Sequence, residues 1–153
     1  MKIVKMSGGL IASGLIVFTV VGGALSCSRT PLTNGGQTAM KIHYLEIVTN
    51  DVDEVCATYG AAIGVPFGEP DPGLGNARTA PLPGGGLVGV RAPLRETEEP
   101  VVRPYWLVDD IEAAVAAAAE AGGEIAHPPL EIPGHGTFAI YQQGGVDHGF
   151  WQL

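Results

Sequence analysis

The chain has 153 residues, with eight Lys and Arg against sixteen Asp and Glu, a formal net charge of −8, and 46% hydrophobic side chains. That acidity excludes a nucleic-acid partner and gives no attraction to anionic lipid, since both are met by basic surfaces. The length allows one modest core.

The elements begin with a leader. Lys2 and Lys5 precede an apolar run from Leu10 to Leu25, which ends in Gly23-Ala24-Leu25-Ser26 before Cys27. That is the layout of a secretory signal over residues 1–26. The cysteine behind small residues resembles a bacterial lipobox. This implies that Cys27 is lipidated and partners the membrane through its anchor, and that Ser28 directs the chain to the periplasmic side of the outer membrane. An uncleaved anchor and an ordinary cleaved signal are the alternatives; the run is slightly short against the roughly 20 residues a spanning helix needs. Loss of Lys2 and Lys5 leaves six basic side chains against sixteen acids, a net charge of −10. Residues 27–40 have no apolar period and read as a flexible tether.

From Lys41 the chain reads as one domain to Leu153. Ile42 to Thr49 alternates as a strand does. Asp51 is placed to cap a helix reaching about Ala62, Glu54 three residues on completes a capping box, and Gly64 stops the helix. Cys56 sits mid-helix as a small buried hydrophobe. Extended pieces follow at Pro66–Glu69, Ala77–Leu82 and Leu87–Ala92, separated by Asp71-Pro72-Gly73 and Pro83-Gly84-Gly85-Gly86. Arg95 to Pro100 is a charged linker. Then the order repeats: a strand over Val102–Val108, a cap at Asp109 or Asp110, an alanine-rich helix to about Ala121, and strands at Glu124–Ala126, Thr137–Gln142 and Gly149–Leu153.

The two halves, about 41–95 and 101–153, match at an offset of 59 residues. Asp51 falls on Asp110, Val52 on Ile111, Asp53 on Glu112 and Gly64 on Gly123. Two such units, neither able to bury its own sheet face, are expected to pack together with a site between them. The fold class is α+β: two βαβββ modules forming a cup-shaped, barrel-like sheet with the helices outside.

This order resembles the vicinal oxygen chelate superfamily, which includes glyoxalase I, bleomycin-resistance proteins and extradiol dioxygenases. The resemblance rests also on V-D-D-I-E-A-A (Val108–Ala114), I-P-G-H-G-T-F-A-I-Y (Ile132–Tyr141) and the closing G-F-W-Q (Gly149–Gln152). The last two are similar to its glyoxalase-like branch. Metalloenzymes of that family hold a divalent metal with four strand side chains, usually His and Glu. Counting seven residues back from the two caps gives Tyr44 and Arg103, the last-strand glutamate falls on Gly149, and Leu87–Arg91 contains no acid. The resemblance therefore implies a site whose metal positions are replaced and which uses no cofactor. The alternative is a divalent metal such as Ni, Zn, Fe or Mn held by His43, Glu46, His135 and His148.

Strand alternation puts Tyr44 and Glu46, and likewise Arg103 and Tyr105, on one face, with Trp151 joining them from the last strand. These five residues are the candidate ligand-binding set. Aromatic walls with one charged pair suit a small polar or aromatic ligand. Glu46 is also the candidate catalytic base, whereas a Glu46–Arg103 pair serving only to hold the halves together is the structural alternative. His43 is expected at an edge or on the helix side, because moving it into the cup would put Glu46 in the core. His127 is expected at a strand end or in a loop, and His148 in a turn. Three functions compete: a metal-free small-molecule-binding domain tethered to the envelope, a metal-dependent lyase, isomerase or dioxygenase, and a resistance-type protein sequestering a cationic drug. A homodimer that exchanges modules is compatible with the linker.

Overall fold

The computed structural model describes residues 40–153; the leader, Cys27 and the tether up to residue 39 lie outside them. The first half runs β1 (Ile42–Val48), α1 (Val52–Ile63), β2 (Pro70–Asp71), a 3-10 turn (Pro72–Leu74), β3 (Ala77–Pro81) and β4 (Leu87–Arg91). The second runs β5 (Val101–Leu107), α2 (Ile111–Glu120), β6 (Glu124–Ile132), β7 (Gly136–Gln143) and β8 (Val146–Gln152). All eight strands form one mixed sheet in the order β2-β3-β4-β1-β5-β8-β7-β6. Its edges, β2 and β6, are not neighbours in that order, so the sheet stays open.

The symmetry lies where β1 meets β5. They pair antiparallel, with Leu45 opposite Pro104, and these two are related by the 59-residue offset of the repeat. A pseudo-two-fold therefore passes between them. It makes Tyr44 equivalent to Arg103 and Glu46 to Tyr105, and each of these faces the partner of the other across the ladder: Tyr44 opposite Tyr105, Glu46 opposite Arg103. The flanking strands obey the same relation, since β4 runs parallel to β1 and β8 runs parallel to β5.

Alternation divides the core into two layers. Ile47, Val88 and Val90 point to α1, where Cys56 is buried among them as expected. Tyr44, Tyr105 and Trp151 point the other way and form a second cluster with Leu74 and Ala77.

The helix ends differ from each other. Asp110 caps α2, accepting from the Ala113 N–H at 2.9 Å. Asp51 makes no side-chain cap, so the expected capping box is absent; its own N–H instead donates to Thr49 Oγ1. Gly64 ends α1 in the left-handed region as expected, at φ 77°.

Three strand boundaries and one strand register depart from the sequence expectation. β2 is two residues long and lies after Glu69, because the Asp71-Pro72-Gly73 turn winds directly into the 3-10 turn. β6 extends to Ile132 through Pro128-Pro129, which an edge strand tolerates because it has a side with no ladder to break. This puts His127 within a strand and not at its end or in a loop. β8 starts at Val146, so His148 lies on the strand and not in the turn before it. Finally, the β1–β5 register shifts between Ile42 and Tyr44. His43 is the extra residue of this bulge, and bulging turns its ring to within 5.5 Å of Trp151 instead of toward the helix layer.

Candidate functional site

The open face of the sheet holds a cavity of about 600 Å³. Its walls are mostly apolar: Leu74 from the 3-10 turn, Leu130 and Ile132 from β6, Phe138 and Ile140 from β7, and Trp151 from β8. The five residues assembled from alternation, Tyr44, Glu46, Arg103, Tyr105 and Trp151, all line it.

The aromatic part is tightly interlocked. Tyr105 meets Trp151 edge-on at 5.7 Å and Phe138 at 6.2 Å, and Tyr44 lies 5.5 Å from Trp151. The Trp151 indole N–H donates to the His135 carbonyl at 2.9 Å, which fixes the ring and ties β8 to the β6–β7 turn. His127 also lines the cup, 4.8 Å from Phe138.

The polar part is a buried relay of alternating charge. Glu46, Arg91 and Arg103 are each only 5–6% exposed. Glu46 Oε1 accepts from Arg91 Nε at 2.7 Å, and Oε2 accepts from Arg103 Nη1 and from the Tyr105 hydroxyl. Beyond Arg91, Glu98 takes both terminal nitrogens of the guanidinium, at 2.9 and 2.7 Å. Beyond Arg103, Asp147 accepts at 2.6 Å and is itself held by Gln142. The order is Glu98–Arg91–Glu46–Arg103–Asp147, so every charge has an opposite neighbour, as burial demands. Hydrogen bonds from Arg91 hold the Glu98 carboxyl down to about 2, against burial, which opposes ionisation. Burial pushes the Asp147 carboxyl up, but hydrogen bonds from Arg103 and Gln142, with the Arg103 charge, together hold it below its ordinary value.

The Glu46–Arg103 pair across the pseudo-two-fold is therefore present, but it is the middle of a longer chain. Arg91, Asp147 and Glu98 escaped the sequence analysis. Only the first was within reach of it: alternation places Leu87, Gly89 and Arg91 on the cup face of β4, whereas Asp147 precedes the expected start of the last strand at Gly149 and lies on the cup face because β8 begins at Val146. Glu98 was not, because it sits in the Arg95–Pro100 linker. That segment folds back to supply the carboxylate, and the Leu94 N–H donates to it as well.

The two central glycines explain the shape of the floor. A Cβ on Gly89 would lie 2.0 Å from the Tyr44 hydroxyl oxygen, and one on Gly149 would lie 2.2 Å from the Tyr105 ring. In each half, then, a tyrosine from the central strand lies across the glycine of its parallel neighbour. These glycines are equivalents, since Gly89 pairs with Glu46 and Gly149 with Tyr105.

The histidines do not converge. His43 packs beside Trp151 and burial lowers its pKa. His135 Nε2 lies 3.3 Å from Asp71 Oδ2, an ion pair when protonated that links the two halves. His148 stacks on Tyr141 at 4.9 Å, on the face of β8 opposite Asp147 and Gly149. The alternative set of His43, Glu46, His135 and His148 is thus dispersed, and among the described residues no three His, Cys, Asp or Glu side chains are grouped as a metal requires.

No protein-family profile matches the chain, and no curated protein matches it. Solved structures do. A hypothetical protein from Bacillus halodurans C-125 superposes with a TM-score of 0.61 at 17% identity, covering 75% of this chain and 95% of that one. Methylmalonyl-CoA epimerase from Mycobacterium tuberculosis gives 0.57 at 16% identity, covering 72% and 86%. A Streptomyces coelicolor methylmalonyl-CoA epimerase in complex with 2-nitronate-propionyl-CoA gives 0.54 at 17% identity, covering 73% and 93%. These likenesses show that the chain has the fold of the vicinal oxygen chelate superfamily.

Proposed function

We propose that this domain binds a small, uncharged, largely apolar molecule in the cup without a metal, held at the cell envelope by lipid on Cys27. The observation that carries the metal-free reading is the tyrosine-over-glycine packing. The resemblance puts metal ligands at Tyr44, Arg103 and Gly149 and on β4, where the equivalent of Gly149 is Gly89. Two of these have no side chain, a third is a cation, and the fourth is a phenol lying over one of the glycines. Glu46, the nearest carboxylate, has both oxygens taken by guanidinium groups. This donor set does not fit a divalent cation.

The uncharged ligand follows from the lining. Three acids (Glu46, Glu98, Asp147) and three arginines (Arg91, Arg95, Arg103) face the cup. Their charges cancel, which favours neither a cationic drug nor a polyanion. The CoA derivatives bound by the epimerases are polyanions and would have to dislodge resident carboxylates from the arginines. The size suits a drug-sized molecule.

Glu46 serves in this account as the anchor of the two arginines and not as a base, since its oxygens already accept three donors. Elemental analysis of the purified protein, before and after incubation with Ni, Zn, Fe(II) and Mn, tests the proposal. Less than a tenth of an equivalent surviving dialysis is expected; one tightly held equivalent overturns it. The tether is tested separately: palmitate labelling in a Gram-negative host is expected for the native chain and lost in Cys27→Ser. Labelling that persists in the variant rules out Cys27.

A further inference from the structure

The buried polar side chains of the cup are paired with one exception. Among the described residues, the Tyr44 hydroxyl is the one buried side-chain oxygen or nitrogen with no hydrogen-bond partner. Tyr44 is 4% exposed and lines the cavity. Its neighbour across the ladder sharpens the contrast, because the Tyr105 hydroxyl donates to Glu46 at 3.1 Å. A buried hydroxyl left unpaired destabilises a fold, and one kept in a native structure calls for an explanation. Phenylalanine would fill the same space over Gly89 without that penalty.

We infer that Tyr44 is a specificity-determining residue: its hydroxyl donates a hydrogen bond to a carbonyl-type acceptor on an otherwise apolar, uncharged ligand. The inference rests on the proposed small-molecule function and names the ligand's polar group. Burial, reinforced by Glu46, raises the phenol's pKa, so the proton stays on and the hydroxyl acts as a donor. The nearby charges of Glu46 and Asp71 disfavour an anion there, and an ammonium-type cation has no lone pair with which to accept from the hydroxyl. A neutral acceptor remains. The apolar body would lie against Trp151, Phe138 and Leu130. Leu74, held in the turn between Gly73 and Gly75, packs in one cluster with Tyr44 and also faces the cup.

The test uses two near-isosteric probes, 2-acetylnaphthalene and 2-ethylnaphthalene, which differ in a carbonyl oxygen. Binding is followed by quenching of tryptophan fluorescence in the full chain and in Tyr44→Phe. The native protein is expected to prefer the ketone about tenfold, the equivalent of about 1.4 kcal/mol, as one hydrogen bond allows. Tyr44→Phe is expected to bind both probes alike and to unfold at a urea concentration no lower than the native protein. Equal binding of the two probes by the native protein, or a ketone preference that survives in Tyr44→Phe, overturns the inference while leaving the metal-free cup standing. Failure of both probes to bind overturns the uncharged-ligand proposal, and the role of Tyr44 with it.

Discussion

Glu46→Gln tests the charge relay directly. The substitution keeps the side chain's shape and removes the one negative charge that lies between two buried guanidinium groups. It also turns one acceptor into an amide donor, so that N–H meets N–H at either Arg91 or Arg103. Removing one partner of a buried pair costs about 3–5 kcal/mol, because the remaining charge is left uncompensated. Here Arg91 keeps Glu98 and Arg103 keeps Asp147, which sets the expectation at the lower end, about 3 kcal/mol. With a urea m-value of about 2 kcal/mol/M, the unfolding midpoint should fall by roughly 1.5 M at unchanged slope. Asp53→Asn is the control: its pair with Arg78 has a side chain 94% exposed, and such pairs contribute little. The account of the cup floor is refuted if Glu46→Gln moves the midpoint no further than Asp53→Asn does.

Other consequences concern packing and pH. Gly149→Ala puts a methyl 2.2–2.7 Å from three atoms of the Tyr105 ring. Overpacking of this kind costs about 1–3 kcal/mol; Tyr105→Leu in the same chain should recover part of the loss in a thermal melt, and no recovery would mean that the ring is not the obstacle. The depressed carboxyl of Glu98 contributes stability above its ordinary, unfolded-state value that is lost as pH falls toward about 2. Urea midpoints measured from pH 5 to pH 2 should therefore fall, and Glu98→Gln should flatten that slope; an equally steep slope in the variant would assign the acid sensitivity to other groups.

Much of the cup was legible in the sequence because its period is two. With Ile42–Thr49 and Val102–Val108 as strands, the family resemblance picks out Tyr44 and Arg103, alternation adds Glu46 and Tyr105 to the same face, and the 59-residue repeat relates the two sets. What alternation cannot see is a break in itself. The bulge at His43 adds one residue to β1 before the regular register begins, and nothing local in Lys41-Ile42-His43 marks it. The two prolines of β6 suggested a loop, whereas an edge strand has an unpaired side that accommodates them. Asp51 carries the side chain of a cap but bends at φ −111°, ψ 52°, out of reach of the helix. Glu98 lay hidden because its partner, Arg91, belongs to a different segment, and a charged linker gives no sign of which charge folds back.

The central claim is that the cup binds an uncharged molecule with its own side chains and no metal. The most direct measurement is the dissociation constant of 2-acetylnaphthalene for the purified chain, in a chelating buffer and again with Ni, Zn, Fe(II) or Mn added. The account predicts the same affinity in every buffer. Binding that appears only with a metal, or strengthens tenfold or more in its presence, would contradict it.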